Sequence, residues 1–147
     1  MEIREEKLTG EVLEELIGLS KDWEAEDSTY GYRANTAEDI EGNRIFLALD
    51  GEKVIGYLFG HVERSKNMTS IMAEGTPFFE AEELYVVPSR RSEGIGKSLF
   101  EFAEEAVKDT AGFIVLSTAT KNCRRILHFY LDELGMTFWS ARLFKKI

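Results

Sequence analysis

The residues best placed to do chemistry lie in one stretch, Val87-Pro88-Ser89-Arg90-Arg91-Ser92-Glu93-Gly94-Ile95-Gly96-Lys97-Ser98. Gly94 and Gly96 have no Cβ, so nearby backbone N–H groups can face a ligand at close range. A helix opening there adds unpaired N–H donors and the positive end of its dipole. Arg90, Arg91 and Lys97 supply positive charge in a chain of 18 basic and 27 acidic residues, whose formal net charge is −9. Together they make an anion site suited to phosphate or pyrophosphate. Two nucleotide patterns fail on spacing. A P-loop needs glycine at position 91, where Arg91 stands, and a dinucleotide fingerprint needs it at position 99, where Leu99 stands. On the glycines alone, a plain turn opening a helix is an equal alternative.

The elements around this stretch must hold it in place. Leu84-Tyr85-Val86-Val87 is the strongest part of a strand from Phe78 to Val87, ended by Pro88. From Gly94 to about Lys108, Leu99, Phe102, Ala103, Ala106 and Val107 share one helix face. Phe113 to Thr118 reads as a buried strand, Cys123 or Arg124 to Leu134 as a helix stopped by Gly135, and Thr137 to Phe144 as a closing strand. Upstream, Ile3 to Arg4 opens as a short strand, and Thr9 caps a helix carrying Val12, Leu13, Leu16, Ile17 and Leu19. Trp23 to Asn43 reads as a loop with a short helix near Thr36 to Glu41. Ile45 to Leu49 and Val54 to Val62 form a hairpin about Asp50-Gly51, and Ser65 to Gly75 reads as a mobile loop. The order predicts an α/β (α+β) fold with a mixed sheet, in a single domain spanning residues 1–147.

Composition removes several function classes. An acidic chain does not suit general nucleic-acid or membrane-surface binding, which needs basic patches. Cys123 is the lone cysteine and His61 and His128 the only histidines, so no internal disulfide and no metal site is expected. The start, Met1-Glu2-Ile3-Arg4-Glu5-Glu6, has no signal-peptide core, and no apolar run has membrane-spanning length. A soluble cytoplasmic protein is the expectation.

Leu84-x-Val86-x-Pro88-x-x-Arg91-x-x-Gly94-Ile95-Gly96 resembles the acetyl-CoA-binding motif of the GNAT superfamily of N-acetyltransferases, whose core is [QR]-x-x-G-x-[GA]. The resemblance includes the preceding strand and following helix, is strongest from Glu80 to Thr120, and covers nearly the whole chain. It implies a central, mostly antiparallel sheet with a splayed parallel pair and flanking helices. It also implies acetyl-CoA as co-substrate, with its pyrophosphate wrapped by Arg91, Ser92, Glu93, Gly94, Ile95 and Gly96, helped by Lys97 and Ser98. Its pantetheine would pair with the backbone of Tyr85, Val86 and Val87, and an N–H near Val86 would face the thioester oxygen.

Acetylating an amine requires its neutral form, and a lysine-like amine with pKa about 10.4 is almost wholly charged at pH 7. Glu80, Glu82 and Glu83 are the candidate bases, and alternation puts Glu80 and Glu82 on one face and Glu83 on the other. Counted back from Arg91, Glu82 matches the glutamate of polyamine-type members and Glu80 that of histone-type members, with Glu82 preferred. A solvated edge charge is the alternative for each. Tyr130 is the candidate acid for the leaving thiolate, and Asn122 a coenzyme A contact. The family pattern N-x-x-x-x-x-x-Y-x-x-x-G-F fits Asn122, Tyr130, Gly135 and Met136 only with one extra residue in each interval. Cys123 and Leu131 occupy the shifted positions, and a core aromatic beside Phe129 is the other reading of Tyr130.

The acidic stretch Asp22 to Asp27, with Tyr30 and Tyr32, lies where this family commonly builds its acceptor site and would suit a cationic amine. The acceptor is then a small-molecule or protein amine. The alternatives are a different acyl group or nucleophile, and a non-catalytic coenzyme A-binding module. Family habit also implies a homodimer.

Overall fold

The computed structural model describes residues 1–147. Five strands form one sheet in the order β1 (Glu2–Glu6), β2 (Arg44–Asp50), β3 (Lys53–Arg64), β4 (Pro77–Val86) and β5 (Phe113–Val115). Neighbours are antiparallel except β4 and β5, which run parallel. The expected mixed sheet is therefore present.

Ile45 to Leu49 is a continuous apolar run because helices cover both faces of the sheet. Phe46 and Ala48 join Ile55, Leu58 and Phe79 under α3 (Ile95–Val107), which buries Ile95, Leu99, Phe100, Ala103 and Val107. Ile45, Leu47, Leu49, Tyr57, Phe59 and Tyr85 face the other way, against Leu16 of α1 (Gly10–Glu26) and Ile40 of α2 (Ala37–Ile40). Thr9 caps α1 by accepting from the Val12 N–H at 3.2 Å.

Several expectations change. The helix α1 runs through Trp23 to Glu26, so the loop predicted from Trp23 begins only at Asp27, whose left-handed backbone ends the helix. The Ser65 to Gly75 segment, expected to be mobile, is closed at its base. Ser65 N–H donates to the Thr76 carbonyl and Gly75 N–H to the Ser65 carbonyl, both at 2.9 Å, and Met72 is buried beneath.

The strand expected over Phe113 to Thr118 stops at Val115. The chain then turns toward the α1–α2 loop, where Tyr30 N–H donates to the Ala119 carbonyl and Lys121 N–H to the Ser28 carbonyl. The closing strand expected at Thr137 to Phe144 does not form, and residues 135–147 have no regular structure. Trp139, Ala141 and Leu143 do alternate onto one apolar face, but the segment finds no strand to pair with. Three residues of β5 also offer too short a ladder, and Leu143 and Phe144 stand 93% and 82% exposed.

The irregularity that matters most is in β4. Phe59 pairs with Glu83 but Gly60 pairs with Ala81, so Glu82 is an extra residue bulged out of the ladder. A Cβ on Gly60 would lie 2.1 Å from the Glu80 carbonyl oxygen and 2.8 Å from the Phe79 ring, so only glycine fits opposite the bulge. Strict alternation therefore fails. Phe79, Ala81, Leu84 and Val86 pack under α3, whereas Glu83 and Tyr85 turn toward α1 and α2. Glu80 and Glu82 lie beside His61 on that same α1–α2 side, which corrects the expected separation of Glu83 from them.

Gly60→Ala should destabilise the fold by about 2–3 kcal/mol, the scale of forced overpacking. Urea denaturation checks this, and a loss below about 0.5 kcal/mol, the size of an ordinary surface substitution, would show that the bulge can relax around a methyl group.

Candidate active site

The pairing of β4 with β5 ends at Glu80 opposite Val115, leaving the last six residues of β4 with an unpaired edge. Val87 N–H donates to the Ile55 carbonyl at 2.9 Å, so residues 83, 85 and 87 direct their backbone groups to β3. By alternation, Leu84 and Val86 direct theirs into the opening. This edge leads straight to the glycine loop.

Pro88–Arg90 makes one 3₁₀ turn, Ser92 and Gly94 take left-handed backbone at φ 68° and 82°, and α3 starts at Ile95. The first intrahelical bond runs from Ser98 N–H to the Gly94 carbonyl. The N–H groups of Ile95, Gly96 and Lys97 therefore have no helical acceptor and point out of the helix end. A Cβ on Gly96 would come within 3.4 Å of the Phe129 ring and 3.8 Å of Val86, which places α3, β4 and Phe129 together.

The two arginines of the loop are already engaged. Arg90 binds Asp50 at 2.7 Å and Glu93 at 3.1 Å. Arg91 donates through Nε to the Val86 carbonyl and through Nη2 to Glu26, both at 2.8 Å, with its guanidinium 5.3 Å from the Tyr85 ring centre. They pin the loop to β4 and α1, and Lys97 is held only by a 3.8 Å contact with Glu101. Sequence reasoning missed Arg125, whose Nη2 donates to Ser92 Oγ at 3.1 Å and brings a further cation to the loop. Its signal was a pair of arginines in the first turn after Asn122. Asn122 immediately precedes α4 (Cys123–Leu127), its N–H donating to Thr120 Oγ1 at 3.1 Å.

Beyond α4 the helix widens into π turns over His128–Glu133, with Leu134 N–H bonded to the Phe129 carbonyl. A π turn accommodates one extra residue within a helix. This explains how Tyr130 and Gly135 can be one position further apart than in the family pattern while the helix stays intact. Tyr130 lies against Phe129, ring centres 5.2 Å apart, and burial alone pushes its phenol up to about 12.

Each of the three β4 glutamates has a distinct setting. Glu82, at the bulge, is 44% exposed, with His61 Nδ1 3.7 Å away. Glu80 is half-buried, and desolvation, then the charges of Glu82 and Glu63, raise its carboxyl to about 7. Glu83 is more enclosed. Its Oε1 accepts from Tyr57 Oη at 2.8 Å, Asn35 Nδ2 at 2.9 Å and Tyr32 Oη at 3.0 Å, and burial still holds its pKa above the ordinary value. Around it Trp23 stacks on Tyr32 at 4.1 Å and on Tyr85 at 5.4 Å.

Much of the acidic stretch expected to meet an acceptor is structural instead. Glu24 accepts from Ala34 N–H, Glu26 from Tyr85 Oη and Arg91, and Asp27 from Lys121.

Comparison with known proteins decides the family. The acetyltransferase (GNAT) family model matches residues 11–136. The chain belongs to the GNAT family. An uncharacterized N-acetyltransferase in the pepI 3′ region of Lactobacillus delbrueckii subsp. lactis is 30% identical over 134 residues, covering 86% of this chain and 74% of the relative. Among solved structures, a tetramutant of the BH1408 protein from Bacillus halodurans superposes with TM-score 0.74 at 20% identity, over 100% of both chains. The aminoglycoside N-acetyltransferase AAC(6′)-Iy in complex with CoA gives 0.68 at 18%, over 99% and 98% of the two chains. An aminoglycoside acetyltransferase from an uncultured soil metagenomic sample, in complex with sisomicin, gives 0.68 at 18%, over 99% and 96%. At these identities the structural matches establish the GNAT fold. No helix is long and apolar enough to cross a membrane.

Glu80 yields a signed pH prediction. Its proton is held more tightly in the folded chain than at the ordinary value of 4.5, so its contribution is stabilising below pH 4.5 and is lost as pH rises through about 7. Melting temperatures of the parent chain and Glu80→Gln, compared from pH 4.5 to 8, should diverge with the variant gaining. Parallel curves would place Glu80 in ordinary solvent.

Proposed function

We propose that the chain is an acetyl-CoA-dependent N-acetyltransferase that transfers acetyl directly to a primary amine of a small cationic acceptor. The observation carrying this reading is the unpaired edge of β4 leading into a loop of free backbone amides. A CoA complex and a sisomicin complex among the structural neighbours support donor and acceptor respectively.

The residues present fit coenzyme A. The amides of Ile95, Gly96 and Lys97 bind pyrophosphate charge at the α3 N-terminus, and Gly96 leaves the space that a side chain would fill against Phe129. Lys97 and Arg125 add positive charge, Ser92, Glu93 and Ser98 shape the loop, and Asn122 borders it through the segment that leads into α4. The open backbone of Leu84 and the Val86 N–H, flanked by Tyr85 and Val87, take up the extended pantetheine arm as an added strand, while the Val86 carbonyl is held by Arg91. Bound acetyl-CoA supplies an acetyl group activated as a thioester.

The Val86 N–H then stabilises charge developing on the carbonyl oxygen. Glu82, exposed and loosely held, removes the ammonium proton of the acceptor, directly or through water. Tyr130, protonated at neutral pH, donates a hydrogen bond to the departing sulfur. It keeps its own proton, because a thiolate of pKa about 8.5 is a weaker base than its phenolate; as the C–S bond breaks, the thiolate takes up the proton that the nitrogen sheds on becoming an amide.

Thermal unfolding tests the donor. At a hundredfold excess over Kd, acetyl-CoA should stabilise the fold by about 2.7 kcal/mol, and NAD should not. Absence of a shift at millimolar acetyl-CoA would reduce the glycine loop to a helix start. Steady-state kinetics test the chemistry. Glu82→Gln should lower kcat about hundredfold, the lower end for a general base, and Tyr130→Phe about tenfold, the scale of one lost hydrogen bond, each with acetyl-CoA affinity unchanged. Full turnover in either variant would remove that residue from the mechanism.

A further inference from the structure

Glu83 has an unusually uneven set of partners. Tyr57, Asn35 and Tyr32 all donate to Oε1, and none of the three reaches Oε2. Proton positions around it form a directed chain. Tyr32 gives its single hydroxyl proton to Glu83, so at the 2.8 Å contact between Tyr32 Oη and Ser20 Oγ it is Ser20 that donates, while Ser20 accepts from the Asn35 N–H at 2.7 Å. Tyr32 is further fixed by its stack on Trp23. The carboxylate is therefore locked from two sides, by the α1–α2 loop and by β3.

Oε2 is not sealed off, since no buried polar side-chain atom in the chain lacks a partner. Nor is the charge of Glu83 balanced by a cation. Arg91 in the adjoining loop is held by Glu26 and the Val86 carbonyl, and His61 by Glu63 and Asn43. A largely enclosed carboxylate with hydrogen bonds but no countercharge is costly, and a cationic guest relieves that cost. Because its orientation is already fixed, it binds such a guest without losing side-chain entropy.

We propose that Glu83 is a specificity-determining residue that receives an ammonium group of the acceptor on Oε2. The inference rests on the acetyl-transfer reading for the identity of the guest as an amine. It divides the work between consecutive glutamates brought to one face by the bulge. Glu83, held rigid, binds and orients the cation, and Glu82, held loosely, removes the proton.

Glu83→Gln is the decisive variant, because the amide oxygen can keep the three donors while an NH₂ group replaces Oε2. Isothermal titration calorimetry with spermidine and with kanamycin, without acetyl-CoA present, reads the effect. At least one amine should bind the parent chain saturably and bind Glu83→Gln fivefold or more weakly, with acetyl-CoA affinity within twofold of the parent. A smaller loss for every amine that binds, saturable binding of neither by the parent, or a matching loss of acetyl-CoA affinity would overturn the proposal. Should the variant fail to fold, the carboxyl ¹³C resonance of Glu83 in the parent chain serves instead. It should move on titration with spermidine, and a stationary resonance would overturn the assignment. Failure of the acetyl-transfer reading would appear separately, as a parent chain that does not bind acetyl-CoA.

Discussion

One extra residue in β4, accommodated only because Gly60 faces it, is the constraint on which the site depends. Without the bulge, the residues beyond it would exchange faces. Glu83 would point under α3 among Phe46, Ile55 and Leu58, and Leu84 would face the polar loop between α1 and α2. The bulge lets the apolar residues on either side of it, Phe79 and Ala81 before, Leu84 and Val86 after, share a single core. It also carries Glu82 and Glu83 to the same side. Bulges increase local twist, and β4 parts from β5 immediately before this point, so the kink and the opening of the sheet coincide.

The parts of the site legible in the sequence are those whose geometry is local. Val86, Pro88, Arg91, Gly94 and Gly96 are close in the chain, and strand, turn and helix start follow from their types alone. What the sequence concealed depends on register or on meeting across the fold. Alternation misplaced Glu83 because a bulge is a relation between two strands, visible only when Gly60 is set against Glu82. Tyr57, Asn35 and Tyr32 converge on Glu83 from distant positions, and Arg125 reaches Ser92 from α4. The failure of the closing strand is of another kind. Phe138 to Phe144 has β-type residues, and Trp139, Ala141 and Leu143 share a face, but a strand also needs a neighbour, and here it has none.

Charge assignments were misleading in the same way. Counting Arg90 and Arg91 as ligands for an anion was natural in an acidic chain. In the fold they are fasteners, one holding the β2–β3 turn through Asp50 and the other joining β4 to α1 through Glu26. The remaining positive character of the loop comes from Lys97 and Arg125 and from unpaired amides, to which sequence charge arithmetic is blind. The π turns beside Tyr130 show the converse. The extra residue was visible as a spacing mismatch, but only the backbone shows that a wider helical turn takes it up without breaking the element.

The two proposed binding surfaces are made of different material. The proposed donor surface is made of main-chain N–H groups, which every residue except proline provides. The proposed acceptor surface is made of side chains: Glu83, Tyr32, Asn35 and Tyr57. Sequence drift consequently acts on them unequally. Most substitutions around Ile95 to Lys97 leave the amides where they are, provided the backbone holds its path, whereas a single exchange at Asn35 or Tyr32 removes a hydrogen bond from Glu83. On those two proposals, a descendant of this chain could change its acceptor in a few steps and keep the same donor, because one surface is written in backbone and the other in side chains.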